Sequence, residues 1–109
     1  MPRSDFADYV VQDLLSDMPG VRSRAMFGGH GIYQEDRMFA IIVDDQLYFK
    51  VGDKNRKDYE RLGSKPFTYK ARNRTVKMSY WEVPADILDD RREITRWAEA
   101  AVQVSLKQG

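Results

Sequence analysis

The sequence predicts an α+β fold, a two-layer sandwich of order α-β(3)-α-β(2)-α with helices on one face of a five-stranded antiparallel sheet. Three observations carry this. Apolar residues recur at helical spacing near both ends, over 4–18 and 90–105. Two-residue alternation marks 46–51 and 76–83. The connections between neighbouring strands are short, which fits antiparallel hairpins.

The first helix opens at Ser4 as N-cap, with Asp5 in its first turn. Phe6, Val10, Leu14 and Met18 form its apolar stripe, broadened by Tyr9, Val11 and Leu15, and Pro19-Gly20 stops it. A short strand over 24–27 leads into Gly28-Gly29-His30-Gly31, a turn that needs positive φ, and 32–34 continues that strand. Glu35-Asp36 turns the chain into 38–43. Both alternating faces there are apolar, as expected of a central strand covered on both sides. Asp44-Asp45 is a hairpin turn. In 46–51, Leu47, Phe49 and Val51 share one face, and Tyr48 and Lys50 the other.

Asp53 is placed to cap a short helix over 54–62 that ends at Gly63. Pro66 introduces a strand over 67–71, Asn73 sits in the next turn, and 76–83 runs back. Val76, Met78 and Tyr80 share one face of it, and Lys77, Ser79 and Trp81 the other. Pro84 ends that strand. The last helix starts near Asp89 or Asp90, where Asp90-x-x-Glu93 resembles a capping box. Its inner stripe is Ile94, Trp97, Ala98, Ala101 and Ser105. The expected core therefore gathers Phe6, Val10, Leu14, Leu47, Phe49, Met78, Tyr80, Ile94 and Trp97.

All 109 residues fit one domain, 1–109. A hydrophobic share of 42% with 32% charged residues is that of an ordinary globular chain, neither disordered nor membrane-embedded. The longest apolar run, 38–43, is far too short to cross a bilayer, and the N-terminal stretch has no apolar signal region. The expected address is cytoplasmic. Eighteen bases against seventeen acids leave +1, which argues against a dedicated nucleic-acid coat protein. With no cysteine, disulfides, thiol nucleophiles and thiolate metal sites are excluded. A single histidine, His30, excludes a multi-histidine site within one chain. No cofactor, no metal and no membrane contact are expected.

Residues 28–31 could present backbone N–H groups to a phosphate, with His30 as acid or base. A phosphate loop, however, should run from a strand into a helix, and this one leads to another strand. Side-chain-free packing in a tight turn explains the glycines better. His30 also lacks a nucleophile at a recognisable spacing, and no Gly-x-Ser-x-Gly elbow exists, so no catalytic residue is assigned. Asp44-Asp45 and Asp89-Asp90 lack the alternating oxygen ligands of a calcium loop, and turn and cap roles account for them. Residues 65–77 hold five bases and no acid, interleaved with Phe67 and Tyr69. Lys70, Arg72, Arg74 and Lys77 thus form a candidate nucleic-acid-binding hairpin, set against the plainer reading of a solvated edge. Alternation also puts Tyr48, Lys50, Ser79 and Trp81 on the sheet face opposite the helices. Aromatics with a few charges suit a partner interface, so these four are the candidate partner-binding residues, set against the plainer reading that a loop or the second helix covers them.

A resemblance follows from several motifs in order. They are Arg24-Ala25-Met26-Phe27-Gly28-Gly29-His30-Gly31-Ile32-Tyr33, Met38-Phe39-Ala40, Asp45-Gln46-Leu47-Tyr48-Phe49-Lys50 and Asn55-Arg56. Pro66-Phe67-Thr68-Tyr69, Met78-Ser79-Tyr80-Trp81-Glu82-Val83-Pro84, Leu88-Asp89-Asp90 and Trp97-Ala98-Glu99-Ala100-Ala101 complete the set. Together they resemble the N-terminal domain of the TfoX/Sxy family over about residues 5–105. The resemblance implies the same α-β(3)-α-β(2)-α fold and a non-enzymatic regulatory role in bacterial competence. It also implies transcriptional coactivation beside a protein partner such as the cyclic-AMP receptor protein. Full-length competence regulators carry a second, helical domain, so this chain is expected to be a stand-alone N-terminal module. A homodimer is the other expected partnership, and direct nucleic-acid binding is the alternative function.

Overall fold

The computed structural model describes residues 5–26 and 28–108. The expected cap Ser4 and the strand residue Phe27 lie outside them. Helix α1 (Asp5–Tyr9) is followed at once by a wider turn, Val10–Leu14. There the Leu15 N–H donates to the Val10 carbonyl at 2.9 Å, an i→i+5 bond. Leu14 and Leu15, where that turn ends, are both buried. Regular helix therefore stops well short of the expected 18, although Met18 still reaches the core.

Six strands follow: β1 (Val21–Met26), β2 (Gly29–Gln34), β3 (Arg37–Val43), β4 (Gln46–Lys50), β5 (Pro66–Ala71) and β6 (Arg74–Glu82). They form one antiparallel sheet of order β1-β2-β3-β4-β6-β5. The expected five-strand count is corrected to six. Residues 29–31 are strand and not turn. Gly28 supplies the positive φ of +66°, and Gly29 already pairs with Met26 on one side and Val43 on the other. Any Cβ at Gly29 would strike the Ile42 carbonyl, so only glycine lets β2 lie this close to β3.

The two-residue turn between β3 and β4 puts both Asp44 and Asp45 at positive φ, 52° and 60°, the pattern that matches strand twist. A register shift in the β2–β3 pair sets Ile32 opposite Ala40 and Tyr33 opposite Met38. Phe39 is the extra residue, and its ring packs on Phe49 at 6.1 Å.

Helix α2 is shorter than expected, Arg56–Arg61, and Asp53 does not cap it. Asp53 pairs with Arg56 at 2.9 Å. Buried Asn55 instead fastens the loop, accepting from the Gly52 N–H at 2.8 Å and donating to the Lys50 carbonyl at 3.1 Å. After a short turn of helix, α3 (Ala85–Leu88), the long helix α4 (Arg91–Gln108) packs on β3 and β4. Asp90 caps α4, accepting from the N–H groups of Arg92 and Glu93 at 3.1 Å each. The Glu93 carboxylate turns to Arg96 at 2.7 Å, and that hydrogen bond first of all holds its pKa below the usual value.

One core joins the helices to one sheet face. Val10, Leu14, Leu15, Ile32, Phe39, Ile42, Leu47, Phe49, Tyr59, Ile94 and Trp97 belong to it, with Phe6 and Trp81 packed against its margin. Met78 is only half-buried, and Tyr80 is buried but stands outside this cluster. Both depart from the expected core.

Candidate functional site

The pairing of β4 with β6 decides which side chains meet. Tyr48 opposes Glu82, Phe49 opposes Trp81, and Lys50 opposes Tyr80. Directly opposed residues point to the same face. Trp81 thus goes with Phe49 to the core, and Tyr80 goes with Lys50 to the open face. This corrects the expected facing of two of the four candidate partner-binding residues. Tyr48 and Lys50 lie on the open face, whereas Trp81 and Ser79 lie on the helix side. Trp81 packs there against the Tyr59 ring, 6.2 Å centre to centre, and Tyr59 meets Trp97 edge-on at 4.6 Å. The Tyr59 hydroxyl is buried with no hydrogen-bond partner among the described residues, and burial raises its pKa.

The open face is built across all six strands. Lys50 Nζ stands 5.0 Å over the Tyr80 ring. The Tyr80 hydroxyl is pushed up to about 12, first by burial and then by the neighbouring Tyr33. Arg22 and Arg24, exposed on β1, both approach the Tyr33 ring, at 5.7 and 5.8 Å. Tyr48 meets the Phe67 ring edge-on at 5.1 Å, and Phe67 leads to half-exposed Tyr69 at 6.3 Å. Burial, then Glu82 and Asp44, raise the Tyr48 pKa.

Between the rings lies an apolar floor. Gly31 opposes Ile41, which is only 6% exposed. The space a Gly31 side chain would fill is taken by the thioethers of Met38 and Met26, 2.7 and 2.8 Å from an ideal Cβ. Gly31 thus makes room for two methionines, not for a phosphate.

Of the four bases of the candidate nucleic-acid hairpin, Lys70, Arg72 and Arg74 line one shallow pocket at its tip, while Lys77 lies apart along β6. Arg74 opposes Ala71 and falls on the Tyr69 side, while Lys70 opposes Thr75 and Lys77 opposes Thr68, both on the other side. Arg72 occupies the turn with φ +56°. His30 opposes Ala25 and Ile42 within the strands. Among the described residues, no group of three or more His, Asp or Glu is arranged to hold a metal ion. No helix of the described residues is long and apolar enough to cross a membrane.

Sequence reading missed Tyr33, Tyr80, Arg22, Arg24, Met26 and Met38 as members of this face. One signal was available: no acid occurs from Met18 to Gln34, the stretch that contains both arginines and Tyr33. The same bias holds for the whole sheet. The described strands carry seven Lys and Arg but a single acid, Glu82.

Comparison with known proteins gives one family match and two similar proteins. The family model described as the TfoX N-terminal domain matches residues 13–105. The DNA transformation protein TfoX1 of Aliivibrio fischeri is 33% identical over 60 residues, covering 55% of this chain and 29% of that protein. The Sxy protein of Escherichia coli is 22% identical over 100 residues, covering 92% of this chain and 48% of that protein. This chain thus spans less than half the length of both relatives.

Proposed function

Because the chain belongs to the TfoX N-terminal domain family, we propose that it is a non-enzymatic regulatory module of the competence type, working in the cytoplasm through its open sheet face. The observation that carries this is the face itself. Tyr33, Tyr48, Phe67, Met26 and Met38 lie there together, outside the core that the helices cover. Aromatics, methionines and arginines with few acids are the composition of protein-binding surfaces. Its occupant is a protein, with the cyclic-AMP receptor protein as the first partner to test and a second copy of this chain as the other. The module then acts as a transcriptional coactivator by contact, and no chemical step is required of it. Direct nucleic-acid binding by the 65–77 hairpin has less support, because alternation divides its bases between two faces.

Sedimentation velocity of the chain with the cyclic-AMP receptor protein and cyclic AMP tests the reading. Wild type should sediment as a complex, and Tyr48→Glu should release it while melting at nearly the wild-type temperature. Free sedimentation of both proteins, together with a monomeric wild-type chain, would refute this use of the face.

A further inference from the structure

We propose that the open face recognises an acidic segment of its protein partner, whose carboxylates meet Arg24 and Lys50 while its apolar residues settle against Met26 and Met38. This rests on the reading of the face given above and adds the chemistry of its occupant. A net charge of +1 conceals a division of charge. Sixteen of the seventeen acids lie on helices, turns and loops, and only Glu82 lies on a strand. Of the seven strand bases, Arg22, Arg24, Lys50 and Arg74 lie on the open face, with Glu82 as its one strand acid, and complementary charge steers association and sets register. Among the described residues neither Arg24 nor Lys50 has an ion-pair partner, whereas Arg22 donates to the Glu35 carbonyl at 2.7 Å and pairs with Asp36 at 3.6 Å. The positive charges of Arg24 and Lys50 are left for an incoming anion.

A protein fits this face better than single-stranded nucleic acid does. A nucleic-acid platform offers free ring faces for bases to stack on. Here the rings are largely engaged already. Two arginines approach Tyr33, Lys50 stands over Tyr80, which is only 5% exposed, and Tyr48 is set edge-on to Phe67. What lies open beside the cations includes the methionines, with Met26 41% exposed. Unbranched thioethers adapt to varied side chains, as protein-binding grooves require.

The test is fluorescence anisotropy with the full chain and three labelled probes. These are a short peptide alternating Glu with Leu and Phe, its Gln-for-Glu counterpart, and an oligothymidylate. The acidic peptide should bind about tenfold more tightly than the Gln peptide. An Arg24→Glu, Lys50→Glu double variant should lose about the same factor. Lys70→Glu, Lys77→Glu, on the other side of the sheet, should bind like wild type, and thermal melts establish that both variants fold. Equal binding of the two peptides, equal loss in both double variants, or no binding of the acidic peptide would each overturn the acidic-partner proposal. Tighter binding of oligothymidylate with the same loss in Arg24→Glu, Lys50→Glu would assign the face to nucleic acid instead. None of these results alters the sedimentation test of complex formation, so the two readings fail separately.

Discussion

Tyr80 sits on β6, one strand in from the edge, and faces the side the helices leave uncovered, yet only 5% of it is exposed. The Lys50 ammonium stands 5.0 Å over its ring. Burial, first of all, disfavours the phenolate, so the folded pKa rises to about 12 from an ordinary 10.0. In the unfolded chain the same phenol ionises near 10.0. Between those values the unfolded state binds fewer protons, so stability falls as pH rises. The Tyr80 contribution is complete below pH 10 and disappears as pH climbs through about 12. Urea midpoints across that range should fall more in wild type than in Tyr80→Phe. Equal falls would mean that Tyr80 is not shielded as the structure has it. None of this was legible in the sequence, where Tyr80 reads as one more apolar residue in an alternating strand. Asn55 was equally opaque: its two loop hydrogen bonds depend on where Gly52 and Lys50 come to lie.

At the scale of elements, alternation identified β4 and β6 as strands but fixed the facing of only one. Leu47 and Phe49 set the phase of β4 unambiguously, because Tyr48 and Lys50 between them are polar-tipped. In β6 the two phases offer Val76, Met78 and Tyr80 or Lys77, Ser79 and Trp81, and each ends on an aromatic. Pairing with β4 breaks the tie and sends Trp81 to the core. Pairing with β5 is also irregular, since Pro66 opposes Trp81 but Thr68 opposes Lys77. Such a shift leaves no mark in hydrophobic periodicity. The consequence is measurable. Trp81→Ala removes a ring packed on Tyr59 and should cost about 2–4 kcal/mol, somewhat less than full burial would because the site is only partly covered. Tyr48→Ala, on the open face, should cost about 1 kcal/mol or less. Chemical denaturation of both variants settles the facing, and the opposite ranking would restore Trp81 to the surface.

On the scale of the whole molecule, the α+β class and the antiparallel hairpins were legible because turns and periodicities are local signals. The sixth strand was not, because the glycines of 28–31 look like a loop until β3 is in place beside them. Composition misled in one respect, since a net charge near zero hid a basic sheet. The topology also sets how firmly each part is held. Strand β3 is central, pairs on both sides, receives α4, and buries four consecutive residues from Phe39 to Ile42. Strand β1 is an edge with four exposed residues, and β5 is the opposite edge with three. Opening a backbone amide in β3 must separate it from buried apolar neighbours, whereas an edge strand can detach with little loss of burial. Native-state hydrogen exchange should therefore find the slowest amides in β3, β4 and the part of α4 packed on them. Amides of β1 and of the β5–β6 tip should exchange well before global unfolding. Adding the acidic peptide should slow β1 along with the centre of the sheet, because a partner bridging Arg24 and Lys50 ties the edge strand to β4. If β1 is already as protected as β3 in the free chain, the sheet opens as one unit and the edge is not the pliable part of this surface.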